Sequence, residues 1–307
     1  MASERRSQGQ GAGALRAIDE PVRGRKSWVS GLLRVARKKP LGTVGAIAIF
    51  LFILVAIFAN VLSPHDPTNT VPGWRLLPPT LEHPMGGDYL GRDLLSNIIH
   101  GARLSLAIGI LSVLCGTLTG SSLGILSAYM GGKVDFAIQR VIDTIMAFPT
   151  LILAIAIVAF LGPHLINVVF AISITLIPTT SRVLRGAVLS IKENQYIEAA
   201  KSIGAGSFRI MGRHVLPNAM APIIILASIE LGAAIIAEAS LSFLGLGVPP
   251  PASSWGRMLG GESIRFMTVA PWILIFPGMG ISIVVLAFNL LGDTVRDVLD
   301  PRLRGSR

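Results

Sequence analysis

The chain has 307 residues, 51% of them hydrophobic and only 14% charged, with a mean hydropathy of +0.66. A soluble domain carries about 25% charged residues, so this composition excludes an ordinary soluble globular protein and points to the membrane. The net charge of +10 would suit a nucleic-acid binder, but the basic residues flank apolar runs and so orient a chain in a bilayer instead; no nucleic-acid partner is expected.

Residues 1–40 are polar and basic, end in "RVARKKP", and read as an N-terminal tail with little structure in its first half. The run "LGTVGAIAIFLFILVAIFANVL", Leu41–Leu62, carries no charge and is long enough to span a hydrocarbon core of about 30 Å as a helix. It starts too far from the N-terminus for a signal peptide, is too long for one, and lacks a clear Ala-x-Ala site. Residues 63–101 read as a loop. A core at 102–292 follows, with five spans expected at about 104–130, 136–161, 165–187, 219–246 and 270–292, and a second tail at 293–307. Gly116, Gly120 and Gly124 form a small-residue ridge that lets another helix approach, and Pro149, Pro178, Pro222 and Pro277 should bend or start the later spans. Arg140 and Asp143, three apart, are expected to pair.

The expected fold class is therefore an all-α integral membrane protein of six transmembrane helices. Six crossings place both termini on one side. Of the 27 Lys and Arg residues, only Arg75, Arg92, Arg103, Arg257 and Arg265 fall on the other side, which places both termini in the cytoplasm. On this topology 63–101 and 247–269 face outward. Trp74, Trp255, Asp66, Glu82, Asp88, Asp93 and Glu262 then offer docking surfaces, or else close the outer mouth of the bundle. The lone cysteine, Cys115, excludes an internal disulfide, and His65, His83, His100, His164 and His214 are scattered without a His-x-x-x-His pair, so no metal site is expected. Nothing matches G-x-x-x-x-G-K-[ST], so the chain is expected to hold no ATP of its own; Ser96 and His100 are an unremarkable helix-face pair, and no catalysis is expected.

Between the fourth and fifth spans lies "NQYIEAAKSIGAGSFRIMGRHVLPNAM", within a cytoplasmic loop at 190–217. Tyr196, Ala199, Ala200 and Ile203 share one helical face, Glu198 and Lys201 can pair off it, and Gly204 and Gly206 break the helix. Ser207 can cap a second helix, with Phe208, Met211, Gly212 and Val215 at the same spacing, and Pro217 is expected to end it. Helices this short are unstable alone, so they require a docking partner, either lipid headgroups or a protein. In the fifth span Glu230 and Glu238 lie on one side of the helix. Carboxylates at membrane depth either line or gate a path or brace neighbouring helices.

The residues "EAAKSIGAGSFRIMGRHVLPN" resemble the Glu-Ala-Ala loop of ATP-binding-cassette (ABC) importer permeases, carried by Glu198, Ala199, Ala200, Gly204, Leu216 and Pro217. "EHPMGGDYLGRDLLSNIIHGARLSL" (82–106), "AEASLSFLGLGVPPPASSWGRML" (237–259) and "LLGDTVRDVLDPRLR" (290–304) are similar to segments of the second permease subunit of the dipeptide/oligopeptide/nickel branch. The resemblance implies a type I importer fold with a coupling helix fitting a cytoplasmic ATPase. It also implies two such ATPases binding ATP and Mg, a distinct second permease, and an external substrate-binding protein. Di- or oligopeptides are the expected cargo; nickel or another small solute is the alternative, and an ATP-independent secondary transporter or a lone membrane anchor lies further off. "SIGAGS" departs from the usual family stretch, and its extra glycine, Gly206, loosens the expected hinge.

Overall fold

A computed structural model describes residue 37 and residues 39–299. Most of the expected N-terminal tail and the end of the C-terminal one lie outside the described residues. Among those described, the ordered elements are helical, apart from one isolated antiparallel bridge between Gly87 and Asp93.

The first apolar run forms α1 (Pro40–Ile57) and a one-turn continuation, α2 (Ala59–Leu62). α3 (Leu94–Met130) starts well before its apolar stretch because Asp93 caps it, its carboxylate accepting from the Ser96 amide at 2.8 Å. The single span expected at 136–161 is instead two helices, α4 (Gly132–Met146) and α5 (Thr150–Leu161), bent by 90°. Pro149 has no amide hydrogen and disfavours helix at Phe148, while Lys133, Asp135, Arg140 and Asp143 give α4 a charged face that a bilayer-crossing helix could not carry cheaply. Next come α6 (Leu165–Lys192), α7 (Gln195–Ser202), α8 (Ser207–Ile210) and α9 (Leu216–Phe243), then α10 (Trp255–Leu259) and α11 (Trp272–Leu299). Among the described residues, five helical stretches are long and apolar enough to cross a membrane, or six if the bent α4–α5 pair counts as one.

Within the unit from Leu41 onward, α3 runs along α6, and α9 packs against α3, α6 and α11. Ile108, Val168, Ile172, Ala234 and Leu241 fill the fully buried centre where they meet. The glycine ridge faces α6 as expected. A Cβ at Gly120 would lie 2.9 Å from the Ile177 carbonyl oxygen, and one at Gly124 only 2.5 Å from that of Ser181. Ser173 closes the upper seam by donating to the Ser112 carbonyl at 3.1 Å. Asp143 pairs with Arg182 of α6 at 2.5 Å, not with Arg140, whose guanidinium lies over the Phe136 ring. Cross-helix geometry outcompetes a sequence-local pair here.

The segment between α9 and α11 folds back onto α3. Trp255 is wholly buried and donates its indole hydrogen to the Ile98 carbonyl at 2.9 Å. It is thus no docking residue, and neither are the buried Asp88 and Asp93. Asp88 receives Arg92 at 2.7 Å together with the Leu90 and Arg92 amides, so its charge is satisfied inside the loop. Asp66, Glu82 and Glu262 remain exposed, and Trp74 is half-buried.

Gly124→Ala should destabilise the chain, because its Cβ meets backbone that cannot rotate away. Overpacking of about 1–3 kcal/mol exceeds the gain in helix propensity of at most about 1 kcal/mol. Thermal unfolding in detergent should show a lowered midpoint, whereas Gly212→Ala, with nothing within 4 Å of the added Cβ, should show none.

Candidate functional site

The helix pair between α6 and α9 is anchored by the ends of the helices beneath it. Lys192, in the last turn of α6, donates to the Tyr129 carbonyl at 2.9 Å, neutralising the C-terminal end of α3. Lys192 and Lys201 lie over the Tyr129 ring at 5.7 and 5.9 Å from its centroid. Lys201 is therefore committed to Tyr129, and the expected Glu198–Lys201 pair does not form; Glu198 is exposed. Nearby, Arg185 of α6 grips Asp135 of α4 with two bonds, at 2.7 and 2.6 Å, and Ser127 of α3 donates to the same carboxylate. The bidentate grip outweighs the cost of partial burial and holds the Asp135 carboxyl's partners in one geometry.

α7 ends in a hydrogen-bonded cap rather than a loose hinge. Gly204 takes φ +80°, its amide donates to Lys201 O at 2.9 Å, and the Ala205 amide donates to Ala200 O at 3.0 Å. This is a Schellman turn, which needs a left-handed residue at that position. α8 begins at Gly206, and Ser207 makes no side-chain cap bond, contrary to expectation. Nor does Pro217 end the second helix. Residues Met211–Val215 form a π-turn in which the Leu216 amide donates to Met211 O, and the helix continues directly into α9. The wider turn makes room for the proline ring, and Asn218 donates its side-chain amide to the His214 carbonyl at 2.6 Å.

The helix pair has two faces. Ile197, Ala200, Ile210, Met211 and Val215 are buried against Ile125, Ala128, Tyr129 and Val188. Tyr196, Glu198, Ala199, Ile203 and Phe208 point outward, with Ile203 84% and Phe208 76% exposed. The expected stripes are thus divided: Ala200 and Met211 bind this chain, while Tyr196, Ala199, Ile203 and Phe208 leave an open apolar face. The actual inner stripe includes Ile197 and Ile210, which the i, i+3, i+4 reading passed over in favour of their neighbours.

The two intramembrane carboxylates are buried. Glu230 of α9 accepts from Thr180 of α6 at 2.9 Å and from Thr117 of α3 at 3.3 Å, so one side chain ties three helices. Glu238 is fully buried and accepts from Ser242 at 2.7 Å; its second oxygen and the Ser105 hydroxyl of α3 are buried without a hydrogen-bond partner. Ser96 turns toward Asp93, its hydroxyl donating at 2.6 Å, and so is not paired with His100.

Residues 120–305 match the family of binding-protein-dependent transport system inner membrane components, and residues 28–79 match the N-terminal transmembrane domain of oligopeptide transport permease C. The chain belongs to this permease family. It is 45% identical over 268 residues to a dipeptide transport system permease protein of Alkalihalophilus pseudofirmus, covering 87% of this chain and 88% of the relative. It is 44% identical, over 87% and 89%, to a glutathione transport system permease protein of Pectobacterium atrosepticum. A putative peptide transport permease of Brucella suis is 41% identical, over 85% and 88%. Among solved structures, the inward-facing methionine ABC transporter MetNI matches with a TM-score of 0.55 at 18% identity, over 67% of this chain and 98% of that one. That likeness gives the fold, the type I importer permease. The chain is a permease subunit of an ABC importer, a multi-pass protein of the bacterial inner membrane, and a transport subunit without an ATPase site of its own.

The cap at Gly204 is testable by itself. Gly204→Ala meets no atom within 4 Å, so its cost is conformational alone, about 1–2 kcal/mol for a left-handed L-residue. Gly204→Pro cannot reach positive φ and also loses the amide bond. Hydrogen exchange across 195–215 should rise modestly in the first variant and strongly in the second, with membrane insertion unchanged in both.

Proposed function

We propose that this permease imports di- or oligopeptides by alternating access, paired with a distinct second permease and powered by two ATPase subunits that bind ATP and Mg. An extracytoplasmic binding protein would deliver the peptide. Both termini face the cytoplasm in this reading, as the charge asymmetry requires, so the helix pair at 195–215 meets the ATPases. One observation carries the proposal: the pair buries one face in its own bundle and leaves Tyr196, Ala199, Ile203 and Phe208 as an open apolar face. The exposed Arg209 and Arg213 would also suit lipid headgroups; membership of the permease family favours the protein partner. The peptide cargo rests on the dipeptide, glutathione and peptide transport named for the relatives.

The unbroken helix from Ser207 to Phe243 supports a lever role. A push on the outward face reaches α9, and through Glu230 it reaches α3 and α6. Glu230 acts in this reading as the gate's internal brace, since its hydroxyl partners lie on α3 and α6; Glu238 bonds Ser242 of its own helix.

Uptake of a labelled dipeptide into vesicles holding the full complex should require ATP and the ATPases; uptake that persists without them would overturn the reading. Ile203→Asp and Phe208→Asp, both at exposed positions, should preserve folding and lower uptake at least about tenfold, the effect of losing a hot-spot contact above about 1.4 kcal/mol. Glu230→Ala leaves two threonine hydroxyls unpaired and should cost about 1–3 kcal/mol of stability. Glu230→Gln keeps an acceptor and should retain both stability and uptake. Loss of uptake in a stable Glu230→Gln protein would instead make the charge itself part of the path.

A further inference from the structure

His65, His83 and Asp93 are far apart in sequence, yet the loop between α2 and α3 brings them together with one ligand atom from each within 4.8 Å of the others. We propose that these three side chains form a transition-metal site of the zinc class that pins this loop to the start of α3. The inference is independent of which solute the permease moves.

The donor set selects the metal. Two imidazoles and one carboxylate suit Zn(II) and its close relatives Co(II) and Ni(II), whereas Ca(II) and Mg(II) call for more oxygen ligands. The spacing fits a tetrahedral centre, in which bonds of about 2.0–2.1 Å place neighbouring ligands roughly 3.3 Å apart. His83 Nδ1 lies 3.0 Å from Asp93 Oδ1, and His65 Nδ1 lies 3.8 Å from Asp93 Oδ2. The two distances run to different carboxylate oxygens, so a centre bound through Oδ1 has His83 already in place and draws in His65 from within 4.8 Å. His65, the most exposed of the three at 32% against 7% and 1%, is the ligand whose rotation closes the site.

His65 supplies an independent sign of a missing ligand: its Nδ1 is buried and has no hydrogen-bond partner. The two rings stack with centroids 5.0 Å apart, and both Nδ1 atoms lie near one carboxylate. Binding a cation through lone pairs would replace the His83–Asp93 hydrogen bond and satisfy His65 together. An outer shell is in place. Ser96 donates both its amide and its hydroxyl to Asp93 Oδ2, at 2.8 and 2.6 Å, orienting the carboxylate while Oδ1 stays toward His83. Trp74 packs edge-on against His65 and tilted against His83, with centroids 4.8 and 4.6 Å away, and limits water on that side. The N-terminal end of α3 disfavours a bare cation, and the Asp93 carboxylate at the cap offsets it.

The test uses the full-length, tag-free chain in detergent, stripped with chelator and titrated with Co(II), then with Zn(II) as competitor. The wild type should bind Co(II) with the visible spectrum of a tetrahedral centre, lose that spectrum to Zn(II), and unfold at a higher temperature with Zn(II) present. His65→Ala, at the exposed ligand, should weaken binding at least about tenfold and abolish the thermal shift. Asp93→Asn should do the same while keeping a capping side chain for α3. His164→Ala, remote from the cluster, should bind as wild type does. Absence of a tetrahedral Co(II) spectrum in folded wild-type protein would overturn the proposal, and so would binding of equal strength in His65→Ala and Asp93→Asn.

Discussion

In a bilayer, helices gain nothing by hiding apolar surface from water, so α3 and α6 must be held together by close packing and by polar contacts between them. Their glycine seam meets that requirement: at Gly120 and Gly124 the α6 backbone occupies the space a side chain would need. The remaining polar ties hang from the same two helices. Ser173 reaches the Ser112 carbonyl, Thr117 and Thr180 converge on Glu230, and Arg185 and Ser127 converge on Asp135. Only backbones this close let short hydroxyl side chains span the gap.

The helix pair at 195–215 depends on that seam for its stability. α7 lacks the length to persist as an isolated helix, and the ends of α3 and α6 supply the missing surface; α8 is the first turn of the helix that runs on to Phe243. Tyr129 and the two lysines around it join the pair to the bundle electrostatically, while the π-turn joins it mechanically to α9. In the proposed mechanism the two links have different duties. The buried face sets where the pair rests, and the continuous helix carries displacement from the open face to the Glu230 brace.

On the other side of the bundle, burial serves order rather than exposure. Trp255 fastens its segment onto α3, and the Asp88–Arg92 pair closes the loop before α3 on itself. The surface left for an external partner carries exposed acidic groups at Asp66, Glu82 and Glu262. The His65–His83–Asp93 cluster lies in the same fastened layer, so the proposed metal would strengthen an attachment that Asp93 already begins as a helix cap.

The membrane class, the apolar spans, the glycine ridge and the outline of the amphipathic helix pair at 195–215 were legible in the sequence, because each rests on local composition or on a repeat within one helix. The four family-like motifs carried the rest of that reading, and the family match agrees with it. Contacts that join distant residues were not legible. Asp143 chose Arg182 over the neighbouring Arg140, Lys201 chose Tyr129 over Glu198, and Trp255 went inward although its loop is polar. The histidines looked scattered because their meeting depends on how a thirty-odd-residue loop closes, which no spacing rule encodes. The same limit applies to the helix pair. Its periodicity identified an amphipathic segment, but two apolar stripes lie side by side, and only docking against Ile125, Ala128 and Val188 decided that Ile197 and Ile210 turn inward while Ile203 and Phe208 remain outside.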